Sequence, residues 1–147
     1  MEAVRRRDHR AGLLRDHRRL SRFGRGRSVS RYLGFTPGRH GGGPKVTGGG
    51  HITKAGDARC RRAVIEGAAS VARSGGGREY CRKGHGASPA IEAEAARRNT
   101  RDAARYAHLI EAGRAKDVAK TAVASMLARD MWFVGTMVGS ELAAKGR

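Results

Sequence analysis

The sequence predicts a mainly α-helical chain with a basic amino-terminal arm, a glycine-rich loop and about three packed helices. Three observations support this fold class. Alanine-rich segments from residue 58 onward place apolar side chains at helical spacing. Residues 34–56 are dense in glycine, which disfavours regular structure there. The first 31 residues are rich in arginine and show no hydrophobic period, as in solvated segments.

Charge is the strongest compositional feature. The formal net charge of the 147 residues is +18, and residues 1–62 hold 17 Lys and Arg against 4 Asp and Glu. A segment this basic attracts polyanions through counterion release, so nucleic acid is the expected partner. An anionic membrane surface is the competing partner, but the arginine-rich region lacks an amphipathic stripe with large apolar anchors. The core is expected to be thin, because large aliphatic residues are few.

We expect three segments: a poorly ordered basic arm over 1–31, a helical domain over 32–139 and a short tail over 140–147. No apolar run approaches the roughly 20 residues that a membrane span needs. The first ten residues lack the apolar stretch of a secretory signal. These patterns predict a cytoplasmic protein without membrane contact, in which Cys60 and Cys81 are reduced thiols.

The first predicted helix begins after Asp57, whose carboxylate can accept bonds from unpaired backbone N–H groups, and runs to about Arg73. One face of this helix is apolar at helical spacing and should be buried. It consists of Cys60, Val64, Ala68 and Val71.

Two further helices follow a glycine-rich linker over 74–87. Ser88 and Pro89 are typical of a helix start, and Gly113 is typical of the residue after a helix end. A break near Asn99 and Thr100 is an alternative within this helix. The third helix should be capped by Asp117 and end near Val138, before Gly139. Its packing face is predicted to contain Val118, Ala122, Met126, Phe133 and Met137, widened by Val123, Leu127, Val134 and Val138.

The most informative local pattern lies between Gly34 and Arg62. It reads GFTP, then a glycine-rich loop, then GHITKAGD and RR. Thr36-Pro37-Gly38 suits a tight turn. Hydroxyl, ammonium, backbone N–H and guanidinium groups converge there, as phosphate binding requires. The predicted nucleic-acid-binding residues are Lys45, Thr53, Lys54, Arg59, Arg61 and Arg62.

The same residues resemble the carboxy-terminal domain of the IS110-type insertion-sequence transposases, a family that includes the Piv invertase. In that family the domain has G-[LF]-x-P, a loop with a serine before a glycine, G-x-I-T-K-x-G-[ND], then R-R and an alanine-rich helix. The resemblance extends from about Leu20 to Gly139 and is most specific between Gly34 and Arg62.

The resemblance implies DNA transposition or inversion. Family members combine a serine nucleophile in this domain with a RuvC-like amino-terminal domain whose acidic residues bind divalent metal, and a structured RNA selects the DNA sites. This chain departs from the family pattern in two respects. Among residues 1–31, Glu2, Asp8 and Asp16 do not form such an acidic set, and Gly42 falls at the serine position. We therefore expect a truncated chain with no cofactor of its own that does not cleave DNA alone.

Other interpretations stay open. The chain could be a separate basic regulator that binds nucleic acid or an intact transposase, or the product of a decayed reading frame. A zinc site from His51, Cys60, Cys81 and His85 is a further alternative, although their spacing matches no common zinc ribbon. The run Gly24-Arg25-Gly26-Arg27 resembles arginine-glycine RNA-binding segments, although so short a run is usually a solvated linker.

Overall fold

The computed structural model describes residues 20, 22–38, 51–75 and 87–146. Four α-helices lie in these ranges: α1 Gly26–Tyr32, α2 Ala58–Ser74, α3 Pro89–Glu111 and α4 Lys116–Lys145. The described ranges contain no strand, and their β-type pairing is a single antiparallel bridge between Pro37 and Ile52. The mainly α-helical fold class is therefore confirmed. None of these four helices is long and apolar enough to cross a membrane.

Helix α4 lies at the centre of the fold and packs against the other three helices. Its buried residues are small, so neighbouring helices approach closely; Ala119, Val123, Ala124 and Ala128 are all fully buried. Around them lie Val29 of α1, Leu33 directly after that helix, Val64 and Ala68 of α2, Leu20 and Phe35. The core is thus built from few large side chains.

Helix α1 was not anticipated as an element. Residues 26–31 fall in the segment that we expected to be a poorly ordered arm, yet they are helical, and Val29 and Ser30 are buried. Burial of Val29 and Leu33 contributes roughly 1.5–3 kcal/mol per side chain, which offsets the weak helix propensity of this short segment. Gly26 allows the approach, because a Cβ there would lie 2.9 Å from the carbonyl oxygen of Arg129. The second half of the arginine-glycine run, Gly26 and Arg27, is therefore the start of a packed helix. Residues 1–19 lie outside the described residues.

Helices α2 and α3 confirm the sequence-based predictions closely. Asp57 is the N-cap of α2 and accepts bonds from the backbone N–H groups of Arg59 and Cys60. Pro89 begins α3 after Ser88, and α3 continues without a break through Asn99 and Thr100. The linker expected between the two helices lies mostly outside the described residues.

Helix α4 corrects two predictions. It begins at Lys116 after Ala115, so Asp117 lies in its first turn, and it continues through Gly139 to Lys145. Glycine costs only about 1 kcal/mol within a helix. The last turns of α4 lie against the start of α3, where Ser88 and Ile91 line a pocket together with Glu141, and Lys145 donates to Glu141 at 2.6 Å.

The predicted packing face of α4 was also partly wrong. Val118 and Phe133 are exposed, and the buried Ala119, Ala124 and Ala128 were not predicted. Val123 is buried, as predicted. Apolar residues occur on all sides of α4, so periodicity alone does not select one face. The three packed neighbours select the face with the smallest side chains.

Candidate nucleic-acid interface

The segments on either side of the glycine-rich loop pair with each other as a short antiparallel stem. We define the stem as residues 34–38 and 51–54. The Gly38 N–H donates to the His51 carbonyl at 2.8 Å, the Thr53 N–H to Thr36 at 2.9 Å and the Lys54 N–H to Gly34 at 3.2 Å. Pro37 lies within this pairing, in place of the tight turn expected at Thr36-Pro37-Gly38. Residues 39–50 lie outside the described residues.

Two glycines allow the stem to contact the ends of α1 and α2. Gly34 has φ +75°, and a Cβ there would lie 2.2 Å from the Ala55 carbonyl oxygen. Gly56 has φ +98°, and its Cβ would lie 1.9 Å from the Tyr32 carbonyl oxygen. Side chains are excluded from both positions by backbone atoms and by the left-handed conformation. The G-F-T-P and K-A-G-D patterns thus contain glycine for a steric reason.

Asp57 occupies the amino terminus of α2. Its Oδ1 accepts from the Arg59 N–H at 2.7 Å and the Cys60 N–H at 3.2 Å, and its Oδ2 lies 3.2 Å from the Cys60 thiol. The hydrogen bond from the Cys60 side chain, with those from the two backbone N–H groups, holds the pKa of the Asp57 carboxyl below its usual value. A phosphate therefore does not meet vacant amides at Arg59 and Cys60, because the Asp57 carboxylate already binds them. This corrects the expectation that backbone N–H groups of this helix start contribute to phosphate binding.

Arg61 is set apart from the other predicted binding residues by its contacts. Its Nη1 donates to the Leu33 carbonyl at 3.1 Å and to the Lys54 carbonyl at 3.0 Å. One guanidinium thus joins the end of α1 to the end of the stem from the first turn of α2. Satisfying two carbonyls with a charged donor stabilises this junction.

The remaining predicted residues in the described ranges are exposed. Lys54, Arg59 and Arg62 present their side chains to solvent, and Thr53 is exposed while its hydroxyl donates to the Gly34 carbonyl at 3.3 Å. Lys54 has φ +54°, an uncommon conformation for a residue with a side chain. The structure therefore brings three exposed cationic residues to one end of α2. Lys45 and Gly42 lie outside the described residues.

A buried acidic cluster between α3 and α4 was missed by the sequence reasoning. Asp102 is fully buried and Asp130 is nearly so. Arg101 Nη2 contacts Asp102 at 2.8 Å and Asp130 at 2.5 Å, and Arg98 Nη1 contacts Asp130 at 2.6 Å. Burial raises the pKa of Asp102 to about 6. Each aspartate directly follows an arginine, Arg101 or Arg129, so no motif distinguishes it from a solvated charge.

The described residues contain no group of three or more His, Cys, Asp or Glu side chains that could hold a metal ion. Of the four residues considered for zinc, Cys81 and His85 lie outside the described ranges. Cys60 is described, and its thiol donates to the Asp57 carboxylate. The nearest serines that precede the loop are Ser28 and Ser30; Ser30 is buried, and its hydroxyl lies 2.8 Å from that of Ser125.

A comparison with known protein families finds a match over the part of the chain that contains the stem. Residues 10–82 match the sequence model of the transposase IS116/IS110/IS902 family. This segment begins within the expected arm, contains α1, the stem and α2, and ends before α3. The similarity that we extended to Gly139 is therefore matched only as far as residue 82.

No match was found among curated proteins, and none among solved structures. The family match covers about half of the chain and contains the whole block from Gly34 to Arg62, including the two sterically required glycines. Through residues 10–82, the chain belongs to the transposase IS116/IS110/IS902 family.

Proposed function

We propose that this chain supplies a nucleic-acid-binding surface in insertion-sequence transposition, and that it binds the phosphate backbone of DNA, or of a structured RNA, at the stem and the start of α2. The observation that carries the proposal is the exposure of Lys54, Arg59 and Arg62 on a framework held by Arg61. Thr53 adds a hydroxyl beside them, and Lys45 belongs to the loop that the stem closes.

Binding at this surface is expected to be electrostatic and only weakly selective for sequence. The Arg59 and Cys60 amides at the start of α2 are bound by Asp57, so we expect the phosphate contacts to come from side chains. Such contacts position a protein on nucleic acid and are strongly salt-dependent. Arg61 contributes by holding the stem in place, because its Nη1 binds two backbone carbonyls.

We further propose that the chain alone binds without cutting. Serine attack on a DNA phosphate needs an alcohol oxygen and help for the leaving oxygen. Gly42 stands where the family resemblance places the serine and has no such oxygen. In the family, the metal-binding acidic residues belong to a separate domain, so this chain would act with an intact transposase.

The test is a salt series of binding affinities for a fluorescent duplex and a folded RNA. Single variants Lys54→Ala, Arg59→Ala and Arg62→Ala should each weaken binding and make the log–log salt slope shallower by about 0.9 per lost phosphate contact. The matched control is Arg114→Ala, an exposed arginine in the turn between α3 and α4. If the three variants change affinity and slope no more than this control does, the proposed surface is wrong.

A further inference from the structure

An arginine lies over two aromatic rings beside the stem. The Arg22 guanidinium carbon is 4.8 Å from the centre of the Phe23 ring and 5.0 Å from the centre of the Tyr32 ring. The two ring centres are 5.4 Å apart, with an angle of 57° between the ring planes. We call Arg22, Phe23 and Tyr32 the aromatic cluster. It was not anticipated, because Tyr32 follows Phe23 by nine residues and only the turn before α1 brings them together.

The aromatic cluster is held in place by a contact with α4 and by its position at the end of α1. The Phe23 carbonyl accepts a hydrogen bond of 2.7 Å from the Trp132 indole N–H of α4. Tyr32 is the last residue of α1, between the buried Val29 and Leu33. The Tyr32 side chain itself remains 49% exposed. A ligand that stacks there would therefore meet a preformed surface, and binding would cost little free energy for ordering the side chain.

The aromatic cluster and the proposed phosphate-binding surface share one framework. The Tyr32 carbonyl packs directly against Gly56, which lies between Lys54 and the start of α2. Arg61 binds the carbonyl of the next residue, Leu33. The end of α1 and the cationic residues of the stem are therefore fixed relative to each other.

The local charge also suits a polyanion. Residues 22–32 contain four arginines and no acidic residue. Arg22, Arg25, Arg27 and Arg31 are all exposed. A cationic ligand would be repelled by this segment, whereas a phosphodiester chain would be attracted to it.

We infer that Tyr32 and Arg22 form a stacking site for an unpaired nucleobase of single-stranded nucleic acid, next to the cations that bind its phosphates. The inference rests on the proposed function and names the kind of nucleic acid. Aromatic rings and guanidinium planes stack on bases whatever their sequence. The bases of a duplex already stack on each other, so an exposed tyrosine gains this contact only with unpaired bases.

The experiment compares oligo(dT) with an abasic oligonucleotide of the same length, which retains the phosphates and lacks the bases. The intact chain should bind oligo(dT) more tightly by about five-fold or more, since stacking on an aromatic ring contributes that much per base. Tyr32→Leu should reduce this preference to less than about two-fold and leave the affinity for the abasic strand and for duplex DNA unchanged. Tyr32→Trp should keep the preference.

A matched control is Phe133→Leu. The Phe133 ring is also partly exposed and has Arg98 3.8 Å above it, but it lies on α4 away from α1 in sequence. Its substitution should leave the preference for oligo(dT) intact. If Tyr32→Leu keeps the preference, or Phe133→Leu abolishes it equally, the stacking site is refuted while the phosphate-binding surface stands. If the intact chain binds none of the oligonucleotides, the proposed function itself fails.

Discussion

Arg61 and Lys54 meet through the backbone: Nη1 of Arg61 donates to the Lys54 carbonyl oxygen at 3.0 Å. Both residues belong to the basic pattern that suggests phosphate binding, yet their roles differ. The Lys54 side chain is exposed, whereas the Arg61 guanidinium holds the backbone that presents it. Neighbouring arginines in the R-R pair should therefore respond differently to substitution.

Arg61→Ala should lower the free energy of unfolding by about 1–3 kcal/mol, because two backbone carbonyls lose a charged donor. Arg62→Ala, at the exposed next position, should change it by less than about 0.5 kcal/mol. Chemical denaturation of both variants in the absence of nucleic acid measures the difference. Equal stability of the two variants would show that the Arg61 contacts contribute nothing to the fold.

Gly34→Ala and Gly56→Ala should each destabilise the chain by roughly 3 kcal/mol or more, since each Cβ would collide with a carbonyl oxygen at a left-handed residue. Gly113→Ala is the matched control: it has φ +73° and open space around the added Cβ. It should cost only about 1–2 kcal/mol, the strain of the left-handed conformation. Thermal unfolding followed by circular dichroism tests whether the two stem positions are distinct from the control.

Stability should depend on the protonation of Asp102. Burial raises its pKa from 3.8 to about 6 in the folded chain, so the folded state binds this proton more tightly than the unfolded state. The Asp102 contribution to stability is therefore largest below pH 4 and is lost as pH rises through about 6. Asp130 lies beside Asp102, and Arg101 contacts both carboxylates.

Asp102→Asn removes this titration while keeping an oxygen for Arg101. The variant should be more stable than the original chain at pH 7.5 by about 1–3 kcal/mol, and the difference should shrink toward pH 5. Urea denaturation of both proteins across this pH range gives the comparison. A variant that is less stable at pH 7.5 would mean that the ionised Asp102 is a net stabilising partner of Arg101.

The chain alone should produce no nicked or joined DNA in the presence of magnesium, and Gly42→Ser should not change this result, because a serine without bound metal completes only part of the chemistry. A gel assay for nicked product and for a covalent protein–DNA adduct provides the measurement. An adduct on Ser28, Ser30 or Thr47 would mean that the nucleophile was misplaced. Ser30 is less accessible than Ser28, since Ser30 is buried against Ser125.

The sequence alone determined the features that depend on neighbouring residues. Asp57 caps α2 and Pro89 begins α3 because capping and the fixed φ of proline act within one turn. The family resemblance over residues 34–62 also depends on which residue stands at each position of this short segment, because two of its glycines have positive φ. For these reasons the fold class, two helices and the family could be predicted.

Only the tertiary structure decided how the helices and the stem pack against one another. Helix α1 is too short to be stable alone and forms because Val29 and Leu33 are buried in the core beside α4. Periodicity could not select the buried face of α4, because apolar residues occur on all sides of this helix. Arg61 and Arg62 are identical in type and adjacent in sequence, and only the folded backbone of the stem gives one of them two carbonyl partners. Contacts between residues distant in sequence require the assembled chain, because no local preference encodes them.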